Sequence, residues 1–303
     1  MTISVILCTY NRCDKLYAAL ESVSRQILPP EIAWEVLVVD NNSSDRTGDV
    51  VAAYTKHSPD RFRYIRETRQ GKSFALNTGI QEARGEVVAF MDDDVVVDEN
   101  WLASLMSQMN DPEWAGAGGR IVPTWTTTPP EWMSSEDRYC LAPIVSFDLR
   151  REACWLTEAP WGTNMAFRRS MFAKYGGFRT DLGPRPGNEM RNEDTEFGLR
   201  LLGAGEKLRY EPEALVYHPV CEDRTTEDYF LAWWFDKGRA DMRQFGSQER
   251  TRYSVCGIPP RKALRFIAWT LRWLVATTPS ERFRRKLRVW WHAGQFVERW
   301  TLS

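Results

Sequence analysis

The sequence predicts an α/β protein with a doubly wound, mostly parallel sheet that is flanked by helices and followed by a C-terminal helical extension. Short apolar runs alternate with amphipathic stretches four times within residues 1–98, at the spacing of βαβ units. Each apolar run ends in a polar loop. From residue 223 onward, helical periodicity replaces the alternation. We therefore predict one domain of residues 1–222, with halves 1–98 and 99–222, and an extension of residues 223–303.

The individual elements follow from the spacing of apolar residues and from the polar residues that punctuate them. Apolar side chains three or four residues apart mark a helix face, and short runs rich in Val, Ile and Leu mark buried strands. Serine, threonine, asparagine and aspartate are the usual caps at helix starts. The predicted strands are 3–8, 34–39, 62–65, 87–91, 116–122, 161–167, 208–210 and 214–217. The predicted helices are 15–26, 49–54, 72–83, 101–109 and 169–175, one that begins at 193, and one that runs from about 226 to 245.

Composition excludes several classes of protein. The 40 Lys and Arg residues nearly balance the 41 Asp and Glu residues, so no nucleic-acid partner is indicated. The chain contains no apolar stretch of about eighteen residues, so no membrane span is predicted. Its 6 cysteines form no C-x-x-C pair, which favours a reduced interior without zinc. Residues 2–9 are too short for a signal peptide, so a cytoplasmic location is expected.

Three consecutive carboxylates, Asp92, Asp93 and Asp94, follow the fourth predicted strand. Open α/β sheets bind ligands at the carboxyl ends of their strands. Adjacent carboxylates repel one another, and carboxylate oxygens are ligands that Mg²⁺ and Mn²⁺ prefer. The run therefore indicates a metal–diphosphate site, while a solvated acidic turn explains it equally well.

Three common motifs are absent. The first strand is not followed by the G-x-G-x-x-G turn of dinucleotide-binding folds. Gly71-Lys72-Ser73 resembles the end of a P-loop, but Arg66 stands where the first glycine is required. An EF-hand is excluded because Val96 and Val97 occupy the positions of an oxygen ligand and a glycine.

Two later features carry candidate chemistry. Glu193 and Asp194 lie in the first turn of a predicted helix, where acids favour the helix dipole. The same position also suits a carboxylate that acts as a base, and both interpretations remain open. His218 ends a predicted strand, where it is either a structural residue or a metal ligand.

The C-terminal region is basic and rich in tryptophan. Between residues 261 and 299, ten Lys or Arg residues accompany only Glu281 and Glu298. Such amphipathic helices are typical of a membrane interface, which we favour for residues 261–300. Packing against the main domain or another subunit is the alternative. The two apolar stripes are Leu264, Ile267, Leu271 and Leu274, and then Phe283, Leu287, Trp290, Gly294 and Val297.

Seven segments together resemble glycosyltransferase family 2, whose members have the GT-A fold. They occur in the family's order and cover residues 3 to 218, and their combination is specific. The segments are Val5-Ile-Leu-Cys-Thr-Tyr-Asn-Arg12, Val38-Val-Asp-Asn-Asn-Ser-Ser-Asp45, Gly71-Lys-Ser-x-Ala-Leu-Asn77, Asp92-Asp-Asp94, Gly162-Thr-Asn-Met-Ala-Phe-Arg-Arg169, Gly176-Gly-Phe-Arg-Thr-Asp-Leu-Gly183 and Glu193-Asp194.

The resemblance implies an inverting transferase that uses a nucleotide-sugar donor and Mn²⁺ or Mg²⁺. UDP is the expected nucleotide, with dTDP and GDP as alternatives. The halves 1–98 and 99–222 would be the nucleotide-binding half and the acceptor and catalytic half. The residues that would bind the donor are Thr9, Tyr10, Arg12, Asp40, Asn42, Lys72, Asn77, Asp92 and Asp93. The metal would be bound by Asp94, Asp92 and His218. Asp194, beside Glu193, would be the catalytic base, and Trp161, Gly162 and Asn164 would lie on the acceptor and sugar side.

The implied acceptor is a glycan or a lipid-linked glycan, with the enzyme at the inner face of the cell membrane and a homodimer as one arrangement. Two alternatives of other classes remain. A non-catalytic sugar-nucleotide-binding protein would have lost the metal or base carboxylates, and both sets are present. A sugar nucleotidyltransferase would carry a glycine-rich basic loop after the first strand, where this chain has Cys8-Thr-Tyr-Asn-Arg12.

Overall fold

A computed structural model describes residues 2–107, 109–133, 137–246 and 259–302. The chain divides into two compact units. The first comprises Met1–Thr124, Phe147–Asp181 and Glu193–Pro219, and the second comprises Trp125–Ser146, Leu182–Asn192 and Val220–Ser303. The predicted boundary at residue 222 lies close to the last crossing between the units, at Pro219–Val220. Two earlier segments also belong to the second unit.

The first unit contains the mixed, mostly parallel sheet that the sequence predicts. The neighbouring strands run in the order β3-β2-β1-β4-β8-β6-β9-β5, and β7 also pairs with β9. Strands β1 to β4 are parallel where they pair, and the later pairs are antiparallel. The strands are β1 Thr2–Thr9, β2 Ala33–Asp40, β3 Phe62–Arg66, β4 Val87–Asp92, β5 Val96–Val97, β6 Trp114–Trp125, β7 Cys154–Trp155, β8 Met165–Arg168 and β9 Lys207–Val220.

Helices cover the sheet and bury the apolar face that the sequence predicts. In α1, Leu16, Ala19, Leu20 and Val23 are fully buried, and they join the core formed by the central strands. Burial of such side chains is the main stabilising contribution of these helices. The helices of this unit are α1 Cys13–Ser24, α2 Thr47–His57, α3 Lys72–Glu82, α4 Trp101–Met106, α6 Arg169–Tyr175 and α7 Glu193–Gly203; α5, Arg138–Leu141, belongs to the second unit.

The strand register explains why the polar loops meet. β1 lies between β2 and β4, and all three are parallel, so their carboxyl ends lie at one edge. Thr9 pairs with Asp40, and Cys8 pairs with Asp92. The direction of chain progression reverses at β1, and the crevice at such a reversal is the usual ligand site of open α/β sheets.

Two strands differ from their predicted bounds. The predicted strand 161–167 begins only at Met165, because residues 161–164 form a turn that the backbone closes from Asn164 N to Trp161 O at 2.9 Å. The predicted strands 208–210 and 214–217 are one strand, β9. β9 continues through Pro212, since a proline is tolerated in a strand wherever no ladder hydrogen bond requires its nitrogen.

The second unit is built around α8 Glu227–Phe245, α9 Pro260–Leu274 and α10 Pro279–Thr301. The backbones of α8 and α10 approach closely at two glycines. A Cβ on Gly238 would collide with the carbonyl oxygen of Trp291, and one on Gly294 would collide with that of Phe235. Such contact is available only where neither helix has a side chain at the crossing.

The packing of α10 corrects half of the membrane prediction. Phe283 and Leu287 are buried, and Phe283 and Phe230 of α8 both contact Trp132 edge-on. Glu298 is fully buried and forms ion pairs with Arg239 and Arg243 of α8. The apolar stripe of α10 is therefore largely a core face. Within the described ranges, none of the helices combines the length and apolar character needed to cross a bilayer.

Candidate active site

The loops that follow β1 and β2 are fastened to each other at the sheet edge. The backbone N–H of Asn11 donates to Ser43 Oγ at 2.9 Å, and Ser44 N–H donates back to Asn11 Oδ1 at 2.8 Å. Asn11 and Asn42 have φ values of 50° and 65°, in the left-handed region that asparagine tolerates better than most residues. On the other side of Arg12, Cys13 N–H donates to Asp45 Oδ2 at 3.0 Å, so the backbone is held on both sides of Arg12.

The three aspartates at the end of β4 are neutralised by two cations. Lys72 Nζ lies 2.6 Å from Asp92 Oδ1. Arg12 Nη1 lies 3.0 Å from Asp93 Oδ1 and 3.1 Å from Asp94 Oδ2. The repulsion expected for adjacent carboxylates is thus relieved by side chains from the loop after β1 and the first turn of α3.

The pKa values of Asp92 and Asp93 shift in opposite directions because the two carboxyls have different neighbours. Burial favours neutral Asp92, but the charge of Lys72 and hydrogen bonds from Lys72 and Thr163 outweigh it, so its pKa lies well below the usual range. Burial raises the pKa of Asp93 to about 6, although Arg12 opposes the shift. Neighbouring carboxyls therefore differ in how readily they bind a proton.

Glu193 joins the same cluster from the start of α7. Its Oε1 lies 3.7 Å from Lys72 Nζ, and the residue is 5% exposed. Burial, followed by the negative charge of Asp194, raises the pKa of Glu193 to about 7. Lys72 thus connects the aspartate run to a carboxyl that lies about one hundred positions later in the chain.

This raised pKa predicts a stability that depends on pH. Below its ordinary pKa of 4.5, Glu193 is neutral in the folded and unfolded states. As the pH rises from there to about 7, the unfolded state ionises first, so the folded state loses stability. We expect the free energy of unfolding of the native chain to fall over this window relative to Glu193→Gln.

Urea unfolding of both proteins at pH 5 and pH 7.5 measures the effect. Asp93 contributes a trend of the same sign to both proteins and largely cancels in the difference. A difference between the two proteins that does not change with pH would contradict the prediction, because it would mean that the pKa of Glu193 is the same in the folded and unfolded states.

Asp194 is held by backbone donors and remains partly exposed. Its Oδ2 accepts from Gly162 N–H at 2.6 Å, and its Oδ1 accepts from Thr195 N–H at 2.6 Å. A Cβ on residue 162 would lie 3.0 Å from Asp194 Oδ2, so glycine lets the loop approach the carboxylate. Thr195 Oγ1 also donates to Oδ1 at 3.2 Å, so Oδ2 is the oxygen that keeps a further lone pair, and the orientation of the carboxylate is fixed.

Asp94 and His218 suit a shared divalent cation. His218 Nε2 lies 4.0 Å from Asp94 Oδ1, which is too long for a hydrogen bond. Two ligands that share one ion at about 2.1 Å each can stand this far apart. Among the described residues, no cluster of three or more His, Cys, Asp or Glu side chains could hold a metal. Two protein ligands would leave coordination positions for substrate phosphates, an arrangement that is common for Mg²⁺.

The residues predicted to contact the nucleotide fall into two groups. Arg12, Lys72, Asp92 and Asp93 lie in the charged cluster, and Tyr10 next to them is 37% exposed. The others are engaged by the protein itself. Asp40 accepts hydrogen bonds from Tyr64 Oη at 2.5 Å and from Ser43 N–H at 2.8 Å. Asn42 accepts a hydrogen bond from Arg66. Thr9 is buried and pairs with Asp40 in the strand register.

The side chains of Asn77 and Asn164 form hydrogen bonds that hold neighbouring segments of the protein together. Asn77 exchanges two hydrogen bonds of 2.8 Å with the backbone of Phe178. Asn164 is completely buried, accepts from Trp101 Nε1 at 2.8 Å and donates to two backbone carbonyls. Their side-chain amides are occupied within the protein, so they position segments of the site. Trp161 and Gly162 are partly exposed, and Gly162 contacts Asp194. The ring of Trp161 lies against that of Phe147 at a tilt of 34°, with centroids 5.4 Å apart.

Comparison with known proteins identifies the family. The sequence model described as glycosyl transferase family 2 matches residues 4–176, more than half of the chain. The chain belongs to glycosyl transferase family 2. It is therefore a glycosyltransferase, and the strand ends that carry the aspartate run lie within the matched region.

Curated relatives of this family 2 enzyme act in glycan assembly. A glucosyl-dolichyl phosphate glucuronosyltransferase of Haloferax volcanii is 28% identical over 249 residues, which cover 77% of this chain and 75% of that protein. The succinoglycan biosynthesis protein ExoM of Rhizobium meliloti is 26% identical over 96% of this chain and 91% of its own length.

Solved glycosyltransferases share the fold. A mannosyltransferase from Pyrobaculum calidifontis, in complex with GDP-Man and Mn²⁺, superposes with a TM-score of 0.68 at 20% identity and covers 99% of this chain and 88% of its own. GalNAc-T7 with UDP, GalNAc and Mn²⁺ gives 0.60 at 20% identity, over 84% of this chain and 52% of its own. The GT-A fold predicted for this family 2 enzyme is confirmed.

Two contributors to the site were missed in the sequence of this glycosyltransferase. Thr163 Oγ1 donates to Asp92 Oδ2 at 2.6 Å, and Tyr64 holds Asp40. Thr163 lies inside a segment that matches the family, so its position in the sequence could have indicated a place in the site. Tyr64 lies on β3 with no such signal, because only the pairing of β3 with β2 brings it to the strand end.

Proposed function

We propose that this glycosyltransferase moves a sugar from a nucleoside-diphosphate sugar, with UDP as the expected nucleotide, to a hydroxyl of a glycan or lipid-linked glycan. The reaction is a single displacement with inversion at the anomeric carbon, assisted by Mn²⁺ or Mg²⁺. The acceptor oxygen forms a bond to that carbon while the bond to the diphosphate oxygen breaks, and the acceptor proton passes to the protein.

One observation carries the proposal. The ammonium of Lys72 lies 2.6 Å from Asp92 and 3.7 Å from Glu193. It therefore joins the carboxylates suited to a metal and diphosphate to the acidic pair that contains the candidate base. A direct displacement needs these two groups at one site, and it needs no covalent nucleophile.

Asp194 is the proposed general base. Its two backbone hydrogen bonds fix the carboxylate without using all of its lone pairs. An acceptor hydroxyl is a poor nucleophile until its proton is removed, and a positioned carboxylate contributes about 10²–10⁴-fold to the rate. Glu193, which is buried, acts with Lys72 to set the charge of the cluster.

The leaving diphosphate is proposed to bind beside Arg12 and Lys72. Both cations already neutralise carboxylates at the end of β4, so they hold guanidinium and ammonium groups ready at the strand edge. Asp94 and His218 would hold the divalent ion, with Asp92 next to them. When bound, the ion acts as a Lewis acid for the charge that develops on the diphosphate.

The acceptor class rests on the names of relatives. Besides the dolichyl phosphate enzyme of Haloferax, a GalNAc(5)-diNAcBac-PP-undecaprenol beta-1,3-glucosyltransferase of Campylobacter jejuni is 36% identical over 36% of this chain and 35% of that protein. Both names specify lipid-linked substrates. We extend this class to the present enzyme and propose that it works at the inner face of the cell membrane, with α9, the part of residues 261–300 that keeps an exposed apolar face, in contact with lipid.

A panel of UDP, dTDP and GDP sugars tests the proposal. Purified protein is incubated with each donor and Mn²⁺, with and without EDTA, and the products are separated. Release of a nucleoside diphosphate and sugar, dependent on the metal, is the expected result. Pyrophosphate would instead indicate a nucleotidyltransferase, and donor binding without turnover would indicate a non-catalytic protein.

A further inference from the structure

Helix α9 exposes an apolar stripe that no other described part of the chain covers. None of its residues is buried, whereas α8 and α10 each bury several. Large apolar side chains on it are more than half exposed. They are Leu264 at 66%, Ile267 at 53%, Leu271 at 58% and Leu274 at 63%, and Val275 just after the helix at 70%.

These side chains share one face. At about 100° per residue, positions 264, 267, 271, 274 and 275 fall within an arc of roughly 100°. The opposite face packs on α10, where Phe266 contacts Phe296 with ring centroids 5.0 Å apart and Trp273 contacts Trp290 at 6.0 Å. The exposed stripe is therefore the outer face of a helix that is held firmly on its inner side.

The tryptophans of α9 belong to the inner side. The guanidinium of Arg288 on α10 lies 4.1 Å from the ring centroid of Trp269, and Trp273 is edge-on to Trp290. Both tryptophans stabilise the contact between the helices. The outward apolar groups of α9 are therefore aliphatic side chains.

Charge on α9 is of a single sign. The helix carries Arg261, Lys262, Arg265 and Arg272 and contains no Asp or Glu, although the whole chain has a net charge of −1. By the same helical geometry, Arg261, Arg265 and Arg272 lie along one edge of the apolar arc. An aliphatic stripe bordered by cations is the pattern of a helix that lies in the interface of an anionic bilayer.

We propose that the outer face of α9, defined by Leu264, Ile267, Leu271 and Leu274 with the bordering arginines, docks on an anionic lipid surface. The aliphatic side chains enter the headgroup boundary, and the arginines contact lipid phosphates. A second copy of α9 would bring further cations and no acid against this edge, so charge complementarity favours lipid over self-association. The docking surface stands by itself; its use in reaching a lipid-linked acceptor rests on the proposed function.

Vesicle flotation tests the surface with three variants. Leu264→Glu with Leu271→Glu places charge in the stripe, and Arg261→Gln with Arg265→Gln removes two bordering cations. Ile27→Glu is the matched control, since Ile27 is 55% exposed and lies far along the chain from α9. Vesicles contain phosphatidylcholine with or without phosphatidylglycerol, at low and high NaCl.

The native chain and Ile27→Glu should float with anionic vesicles, remain behind with neutral ones, and float less in high salt. The stripe variant should lose flotation. At roughly fivefold per cation, the arginine variant should bind about 25-fold more weakly. Metal-dependent donor hydrolysis without vesicles is measured in parallel, and all variants should retain the native rate.

The two readouts separate the failures. If the native chain floats as expected but hydrolyses no donor, the proposed function is wrong and the proposed lipid-docking surface still holds. Equal flotation of the native chain and the stripe variant would overturn the surface. A native dimer that the stripe variant converts to a monomer, with no flotation of either, would assign the face to a subunit interface instead.

Discussion

Replacing Asp194 by asparagine should lower the rate of sugar transfer by about 10²–10⁴-fold, the range for loss of a general base. The amide cannot take the acceptor proton. Donor affinity should change little, because the charged groups of the cluster, Lys72, Asp92 and Arg12, remain in place. The effect should therefore appear in the maximal rate and not in the donor dissociation constant.

The structure also predicts a modest loss of stability in this variant. Both Asp194 oxygens accept backbone hydrogen bonds, and asparagine has only one acceptor oxygen, so either Gly162 or Thr195 loses its partner. Glu196→Gln is the matched control, because it makes the same chemical change in the same helical turn, at a carboxylate paired with Arg200. Steady-state rates, donor calorimetry and thermal unfolding are compared for both variants. A collapse of donor binding in Asp194→Asn alone would assign the residue to the donor site.

The central part of the fold could be predicted because its signals are local. Strands β1 to β4 are short apolar runs that end in polar residues, and the structure places each within one or two residues of the prediction. The later strands are harder because their burial depends on partners far along the chain. β9 pairs with β5, β7 and β6 along its length, and this pairing carries the strand through Pro212.

The site residues also divide into those whose positions follow from local sequence and those whose positions depend on distant parts of the chain. The crowding of Asp40 and Asp92 at one edge follows from parallel strands alone. The bond from Thr163 to Asp92 and the contact of Lys72 with Glu193 depend on how loops fold over that edge. Asn164 lies in a segment that matches the family and was predicted to lie on the acceptor and sugar side. Its side chain instead holds neighbouring segments of the protein together, so a place in a family segment does not by itself indicate contact with a substrate.

The C-terminal helices show why amphipathic patterns alone do not identify a partner. α9 and α10 both carry basic residues and apolar stripes. Glycine contacts and the buried Glu298 commit α10 to α8, whereas α9 has no comparable contact on its outer face within the described residues. The glycine inside the stripe of α10, Gly294, is a sequence feature that favours packing against another helix, because it lets the two backbones approach closely.

Replacing Asp94 by alanine should abolish metal-dependent transfer, with a loss of at least about 10³-fold when the cation no longer stabilises the leaving diphosphate. The fold should survive. Asp94 is one of the charges that raise the pKa of Asp93, so its removal relieves repulsion, and Arg12 keeps Asp93 as a partner. The thermal midpoint should therefore stay close to that of the native protein.

Binding of Mn²⁺ in the presence of nucleoside diphosphate gives a readout that does not depend on turnover. The native chain should bind the ion and the nucleotide together and lose both with EDTA, and Asp94→Ala should bind the nucleotide weakly with or without Mn²⁺. Asp49→Ala, which removes an exposed carboxylate from α2, should behave as the native chain. If Asp94→Ala still transferred sugar at the native rate in chelator, no divalent ion would be needed at this strand end. Arg12 and Lys72 would then be the groups that stabilise the diphosphate, because they are the cations the fold itself holds there.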